Sequence, residues 1–179
     1  KHPEQIPPEL HQTTWCADRA IEFMAAQPAE QPWLMSVNMF DPHAPFDPPQ
    51  SYLDRYNADT MPDPLFRESD LGTQAALAEI DFQTLGRRPA EFHAKQVRAA
   101  YYAMIELIDD NVGRMLDALD RSGQRDNTVV IFMSDHGETL GDHGLLLKGC
   151  RFYEGLVRVP LILSWPGHFT AGTVRNALV

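Results

Sequence analysis

An aspartate and a histidine stand side by side at Asp135 and His136, directly after an apolar run. That run, residues 129–132 (Val-Val-Ile-Phe), is rich in β-branched residues and predicts a buried strand. The pair would then lie at the carboxyl end of a strand, where open α/β sheets bind their ligands. A carboxylate oxygen and a neutral imidazole nitrogen are both metal ligands, so the pair predicts a metal site. The alternative is an Asx-type turn with a capping aspartate.

A lysine follows twelve residues after His136, in a less polar setting. Lys148 comes directly after three leucines, residues 145–147. This context favours an ammonium group that turns inward toward an anion. A solvated loop lysine is the alternative.

A second histidine, His43, lies in residues 41–46 (Asp-Pro-His-Ala-Pro-Phe), after another apolar segment. Prolines on both sides restrict the backbone and would hold the imidazole in place at little entropic cost. The sequence therefore predicts a second polar group at a second strand end. A structural histidine that caps a turn is the alternative.

The polar segments in the second half of the chain follow one another in an order that resembles a known family. They are residues 134–138 (Ser-Asp-His-Gly-Glu), 140–144 (Leu-Gly-Asp-His-Gly), Lys148, 152–155 (Phe-Tyr-Glu-Gly) and 158–161 (Arg-Val-Pro-Leu). This order is similar to the second half of the catalytic domain of sulfatases, in the alkaline phosphatase-like superfamily, with phosphonate monoester hydrolases as close relatives. Residues 42–45 (Pro-His-Ala-Pro) resemble a further motif of that family.

The resemblance implies a role for each of these side chains. Asp135 and His136 would hold a divalent metal ion, with Ca²⁺ favoured and Mg²⁺, Mn²⁺ or Zn²⁺ left open because imidazole is a softer ligand. Lys148 would bind a substrate oxygen, and His43 would be the neighbouring acid or hydrogen-bond donor. His143 is a further candidate for the substrate pocket. Three charged residues are assigned to loop support: Glu138, Glu154 and Arg158.

The first half of the sulfatase pattern is absent from these 179 residues. Sulfatases carry a Cys-x-Pro-x-Arg or Ser-x-Pro-x-Arg segment whose Cys or Ser becomes formylglycine, and neither Cys16 nor Cys150 has that context. Neither cysteine is therefore assigned as the nucleophile. We expect residues 1–179 to be the middle-to-C-terminal part of a single catalytic domain, with formylglycine in the missing N-terminal part. Alone they should be inactive, and an uncovered sheet face should favour self-association.

The remaining elements should position these side chains as part of an α/β domain. We expect a partial doubly wound, mainly parallel sheet flanked by helices. Asp109 and Asp110 should lie on a solvated helix face rather than form a metal pair. The predicted elements are a helix from Thr13 or Thr14 to Gln27, a central strand at 33–40, a long loop at about 47–88 with a short helix at 72–80, a helix at 89–121, strands at 128–132 and 159–165, and an edge strand starting at Val174.

Composition limits the partners of the protein. The net charge of −10 argues against a nucleic-acid surface, which needs a basic stripe. No apolar run reaches the roughly 18 residues that span a bilayer, and the sequence predicts a soluble protein of the cytoplasm or periplasm. We expect hydrolysis of a small-molecule or saccharide sulfate ester. The alternatives are a phosphonate monoester or phosphodiester hydrolase and a non-catalytic binding module of the same fold.

Overall fold

The computed structural model describes residues 6–28, 30–77 and 85–176. Within these ranges the chain forms five α-helices and two β-strands, joined by loops and short 3₁₀ turns. The elements are α1 (Gln12–Ala26), α2 (Gln50–Leu53), α3 (Glu68–Ala76), α4 (Ala94–Arg121), β1 (Val130–Met133), α5 (Glu154–Val157) and β2 (Leu161–Ser164).

The helix α4 is the scaffold of the molecule, and α1 and α2 both pack against it. Its apolar residues recur every three or four positions, and the resulting stripe is buried, with Ala103, Met104 and Leu107 at most 1% exposed. The predicted helix at 89–121 is confirmed, except that Pro89–Phe92 form a separate 3₁₀ turn before it. Asp109 and Asp110 are exposed, as predicted.

The predicted first helix is confirmed as α1, but its N-cap is His11 rather than a threonine. Thr13 and Thr14 lie inside the first turn, and both are buried. The side chain of His11 accepts a hydrogen bond from the N–H of Thr13 at 3.4 Å. A histidine can therefore take over the capping role that Ser, Thr, Asp and Asn usually fill.

The two strands pair antiparallel, with Val130 opposite Ser164 and Met133 opposite Leu161. The expectation of a mainly parallel sheet is therefore wrong for the part of the chain that the structure describes. Parallel strands need a crossover that is usually a helix, and the connection between β1 and β2 holds only the four-residue α5 and a 3₁₀ turn. The chain instead returns beside β1 in the opposite direction.

The sheet is not a buried one, which corrects a second expectation. Ile131 is 56% exposed, Met133 64% and Ile162 58%. Val130 and Ser164 at one end of the ribbon are half-buried, and the other residues of both strands are exposed. Exposed apolar patches of this kind are typical of interaction surfaces.

The segment predicted as a central strand, residues 33–40, forms no strand within the described structure. Its burial nevertheless alternates, with Trp33, Met35, Val37 and Met39 half-buried and the residues between them exposed. This period of two is typical of a strand, but no other described segment supplies the backbone partners that a sheet needs. Val174 likewise lies outside any strand and is 81% exposed.

The long loop at 47–88 contains two helices. The predicted short helix at 72–80 is present as α3 but begins four residues earlier, at Glu68, and residues 78–80 of the prediction lie outside the described residues. The carboxylate of Asp70 accepts a hydrogen bond from the N–H of Arg67 at 2.8 Å, which supports this earlier start. In the described part of the chain no helix has both the length and the hydropathy to cross a bilayer.

Candidate functional site

Asp135 and His136 lie in the loop that leaves the end of β1. Asp135 Oδ1 accepts a hydrogen bond from the N–H of His136, the next residue, at 3.0 Å, whereas the Asx turn expected as the alternative needs the N–H two residues on. The side chains remain open to solvent, at 87% for Asp135 and 42% for His136.

The atoms of this pair suit a divalent cation. His136 Nδ1 lies 2.8 Å from the carbonyl oxygen of Gly137, which only accepts, so Nδ1 carries the proton and Nε2 keeps its lone pair. Nε2 is 3.8 Å from Asp135 Oδ2, a gap that one ion with ligand distances of about 2.1 Å can bridge. Among the residues described, no group of three or more His, Cys, Asp or Glu could hold a metal ion by itself. The pair supplies two ligands of a larger set.

His43 is held by its own turn. Its N–H donates to the carbonyl of Phe40 at 3.1 Å, and its ring lies over the Phe40 ring with centroids 4.7 Å apart. Nδ1 is 2.6 Å from the carbonyl oxygen of Ala44. Because that carbonyl can only accept, Nδ1 carries a proton and Nε2 is the nitrogen left to face a ligand.

Glu138 is a buried carboxyl group in the loop that follows β1. It is 9% exposed, and burial raises the pKa of its carboxyl group. The N–H of Thr139, which donates to Glu138 Oε1 at 3.0 Å, opposes that rise of the pKa. The ammonium group of Lys148 also opposes it, as would protonated rings at His136 and His43. That these side chains face one shared cleft stays a prediction.

Tyr101 completes the surroundings of Glu138 from the scaffold helix. Burial and the charge of Glu138 raise the pKa of this phenol to about 12. The Tyr101 ring also meets the Phe46 ring edge-on at 6.1 Å, so α4 contacts the segment that follows His43. The sequence pattern indicated Tyr101 only as a core residue.

His143 contacts a different set of residues. Its ring stacks on Tyr153 with centroids 3.9 Å apart, and its Nδ1 is 3.7 Å from Asp70 Oδ2. Its backbone N–H donates to the carbonyl of Leu65 at 2.7 Å. These contacts tie residues 134–153, the motif loop between β1 and α5, to α3 and to the long loop at 47–88. They make His143 a support of that loop, and its predicted place in a substrate pocket stays a prediction.

Arg98 of α4 anchors the motif loop through hydrogen bonds. The sequence analysis did not single it out. Its guanidinium group donates to Asp142 Oδ1 at 2.5 Å, and to the carbonyls of Leu140 at 2.9 Å, Pro62 at 3.1 Å and Asp63 at 3.3 Å. The Arg98 side chain is only 10% exposed. The sequence did contain a sign of this role. Arg98 lies three residues before Tyr101, on the apolar face of the helix, and an arginine is rarely buried there without partners.

Close packing explains two glycines of the motif loop, Gly137 and Gly141. At Gly137 a Cβ would lie 1.9 Å from the carbonyl oxygen of Gly155. Gly141 has a φ of +100°, and its Cβ would lie 2.8 Å from that of Ala94 and 2.9 Å from Cγ of Pro64. Any larger residue at Gly137 would push the Asp135–His136 turn away from the segment 154–157.

Comparisons with known proteins identify the family of this chain. The family model for sulfatases matches residues 2–179. The chain is 34% identical to an arylsulfatase of Clostridium perfringens over 91% of its own length and 34% of that relative. It is also 34% identical to a choline-sulfatase of Rhizobium meliloti, over 78% of this chain and 28% of that one.

A solved structure shares the fold. The crystal structure of a phosphonate monoester hydrolase of Agrobacterium radiobacter matches with a TM-score of 0.78 and 30% identity, over 91% of this chain and 34% of that one. This likeness is consistent with the alkaline phosphatase-like superfamily. The chain spans about a third of the length of the relatives it matches, at 34% of the arylsulfatase. On the family match and the motif loop together, this chain belongs to the sulfatase family.

Proposed function

We propose that this chain carries part of the active site of a metal-dependent sulfatase that hydrolyses small-molecule or saccharide sulfate esters. The observation that carries the proposal is the pair of free acceptor atoms, Asp135 Oδ2 and His136 Nε2, 3.8 Å apart at the end of β1. A bound divalent cation would neutralise charge on the ester oxygens there, with Ca²⁺ favoured and Mg²⁺, Mn²⁺ or Zn²⁺ as alternatives.

The protein's own side chains have distinct tasks in this proposal. Lys148 binds an anionic oxygen of the ester through its ammonium group. His43 acts as an imidazolium: Nδ1–H is donated to the carbonyl of Ala44, and the second proton, on Nε2, is the one given to the oxygen of the leaving group. His143 and α3 border the entrance as proposed support for substrate binding.

The nucleophile is proposed to come from sequence beyond residues 1–179. Support comes from the extent of the match, which covers 34% of the arylsulfatase, and from the missing formylglycine motif. The isolated chain should then not turn over aryl esters and should self-associate through the β1–β2 ribbon. Size-exclusion chromatography and activity assays of residues 1–179 test both statements. Metal-dependent turnover by this piece alone would contradict the proposal.

Hydrolysis of phosphonate monoesters or phosphodiesters is the second candidate. The structural likeness to the phosphonate monoester hydrolase favours it, with a TM-score of 0.78. The step of twelve residues from His136 to Lys148 fits both reactions equally. Sulfate is preferred because the family model is that of sulfatases and two of the most similar relatives are an arylsulfatase and a choline-sulfatase.

The deciding experiment compares 4-nitrophenyl sulfate with 4-nitrophenyl phenylphosphonate as substrates of the full-length protein. Asp135→Asn and Lys148→Ala should each lower kcat/KM by about 10²-fold or more on the better substrate. Asp117→Asn and Lys95→Ala, which change exposed or partly exposed residues of α4, serve as matched controls and should change it little. Chelator treatment should abolish turnover and metal ions restore it. Full activity of both site variants would contradict the roles proposed for Asp135 and Lys148, and no activity on any ester would support a non-catalytic binding module instead.

A further inference from the structure

The turn that carries His43 is attached to the start of α1 through one buried carboxylate. Asp41 Oδ2 accepts a hydrogen bond from Thr13 Oγ1 at 2.5 Å, and Oδ1 accepts one from Gln12 Nε2 at 3.0 Å. The Asp41 side chain is fully buried, so the donors of Thr13 and Gln12 replace the water it would otherwise bind.

The position of Asp41 also suits its charge. Gln12 and Thr13 are the first two residues of α1, where unpaired backbone N–H groups leave a partial positive charge. A carboxylate is stabilised at such a helix start. The contact joins two segments 28 residues apart in the sequence.

His43 depends on this attachment for its placement. Within the described structure, its hydrogen bonds and ring contacts are all to its own turn, residues 40–44. No side chain of another element holds the imidazole directly. Only Pro42 separates His43 from Asp41, so a shift of the carboxylate moves the ring relative to Glu138 and Lys148.

We propose that Asp41 is a positioning residue that holds the His43 imidazole in the site by fastening its turn to Thr13 and Gln12. The inference rests on the proposed function, in which His43 protonates the leaving group. Asp41 itself does not touch the substrate.

The test measures how strongly the rate depends on the leaving group, using the full-length protein. Phenol is a poorer leaving group than 4-nitrophenol and needs protonation more, so its sulfate ester reports on His43. Asp41→Asn should lower kcat for phenyl sulfate by at least about tenfold, since a placed general acid contributes about 10²–10⁴. The loss for 4-nitrophenyl sulfate should be several-fold smaller, and KM should change little.

A double-mutant cycle separates positioning from general damage. If Asp41 acts through His43, Asp41→Asn should change kcat less than twofold in a His43→Ala background. Thr13→Val, which removes the 2.5 Å hydrogen bond, should reproduce the effect of Asp41→Asn, and Thr13→Ser should restore the rate. These variants also serve if Asp41→Asn does not fold. Asp18→Asn, which disrupts a partly exposed ion pair of the same helix with Arg114, is the matched control and should leave the leaving-group dependence unchanged.

Equal losses for both esters, or additive effects of Asp41→Asn and His43→Ala, would overturn the positioning role while leaving the sulfatase proposal intact. A leaving-group dependence that His43→Ala leaves unchanged would overturn both the positioning role and the acid role of His43. Absence of sulfatase and phosphonate hydrolase activity in the unaltered protein is the separate outcome that refutes the proposed function.

Discussion

Replacing Arg98 by methionine should loosen the loop that follows Asp135 and His136. Methionine keeps the apolar length of the side chain and removes its charge and donors. The change leaves the carboxylate of Asp142 and the carbonyls of Leu140, Pro62 and Asp63 without the guanidinium group that now serves them. Arg98 joins α4 to the motif loop and to the long loop at 47–88. Its loss should therefore change the site as well as the stability of the protein.

The structure sets the size of the effect. Removing one partner of a buried ion pair costs about 3–5 kcal/mol. The Asp142 side chain is 24% exposed and keeps the hydrogen bond from the N–H of Leu65 at 2.8 Å, so the lower end of that range applies. We therefore expect Arg98→Met to lower the free energy of unfolding by about 3 kcal/mol.

Urea unfolding of the full-length protein, combined with hydrogen exchange of residues 139–147, measures both consequences. Arg19→Met is the control, because Arg19 and Glu22 are 50% and 62% exposed and such a pair contributes about 0–1 kcal/mol. Exchange in the loop should accelerate for Arg98→Met and stay unchanged for the control. A loss below about 1 kcal/mol with unchanged exchange would refute the view that Arg98 anchors this loop.

Two further changes test local features. Gly137→Ala should destabilise the protein by about 1–3 kcal/mol, since its Cβ would lie 1.9 Å from a backbone oxygen. Gly113→Ala, on the open face of α4, should instead stabilise the protein by about 0.5–1 kcal/mol. Urea midpoints that shift in the same direction for both variants would contradict this. Burial and Asp110 raise the pKa of Tyr52 from 10.0 to about 12, so stability that is complete below pH 10 should fall as the pH rises through 12. Tyr52→Phe should reduce that fall, measured by urea unfolding at several alkaline pH values, while Tyr101, whose pKa is also raised to about 12, supplies the remainder; an unchanged pH dependence would contradict it.

The bare β1–β2 ribbon and the extended segment 33–40 have a common explanation. Both are apolar, both have the backbone or burial pattern of strands, and neither finds further strand partners among the described residues. A sheet becomes stable when more strands or a helix cover its faces. The proposal that further sequence of the same domain completes this sheet accounts for the exposed side chains and for the expected self-association of the isolated chain.

Local pattern was sufficient for the two long helices, whereas the strands predicted at 33–40 and from Val174 do not form in the described structure. The three- and four-residue spacing along α4 and the amphipathic run of α1 predicted both helices, because side-chain periodicity depends on neighbours in sequence. The polar residues after apolar runs, Asp135 and His136 in one place and His43 in the other, were likewise predicted from order along the chain. The capping residue of α1 and the start of α3 were missed, since both depend on hydrogen bonds that several residue types can make.

By itself, then, the sequence determined the two long helices and which residues are candidates for the chemistry, because both follow from residue type and spacing. Only the tertiary structure decided that β1 and β2 run antiparallel, that Glu138 is buried, and that Asp41 meets Thr13. These contacts join residues far apart in the chain. Their free energy depends on burial and on the distance between atoms, and no local pattern records either quantity.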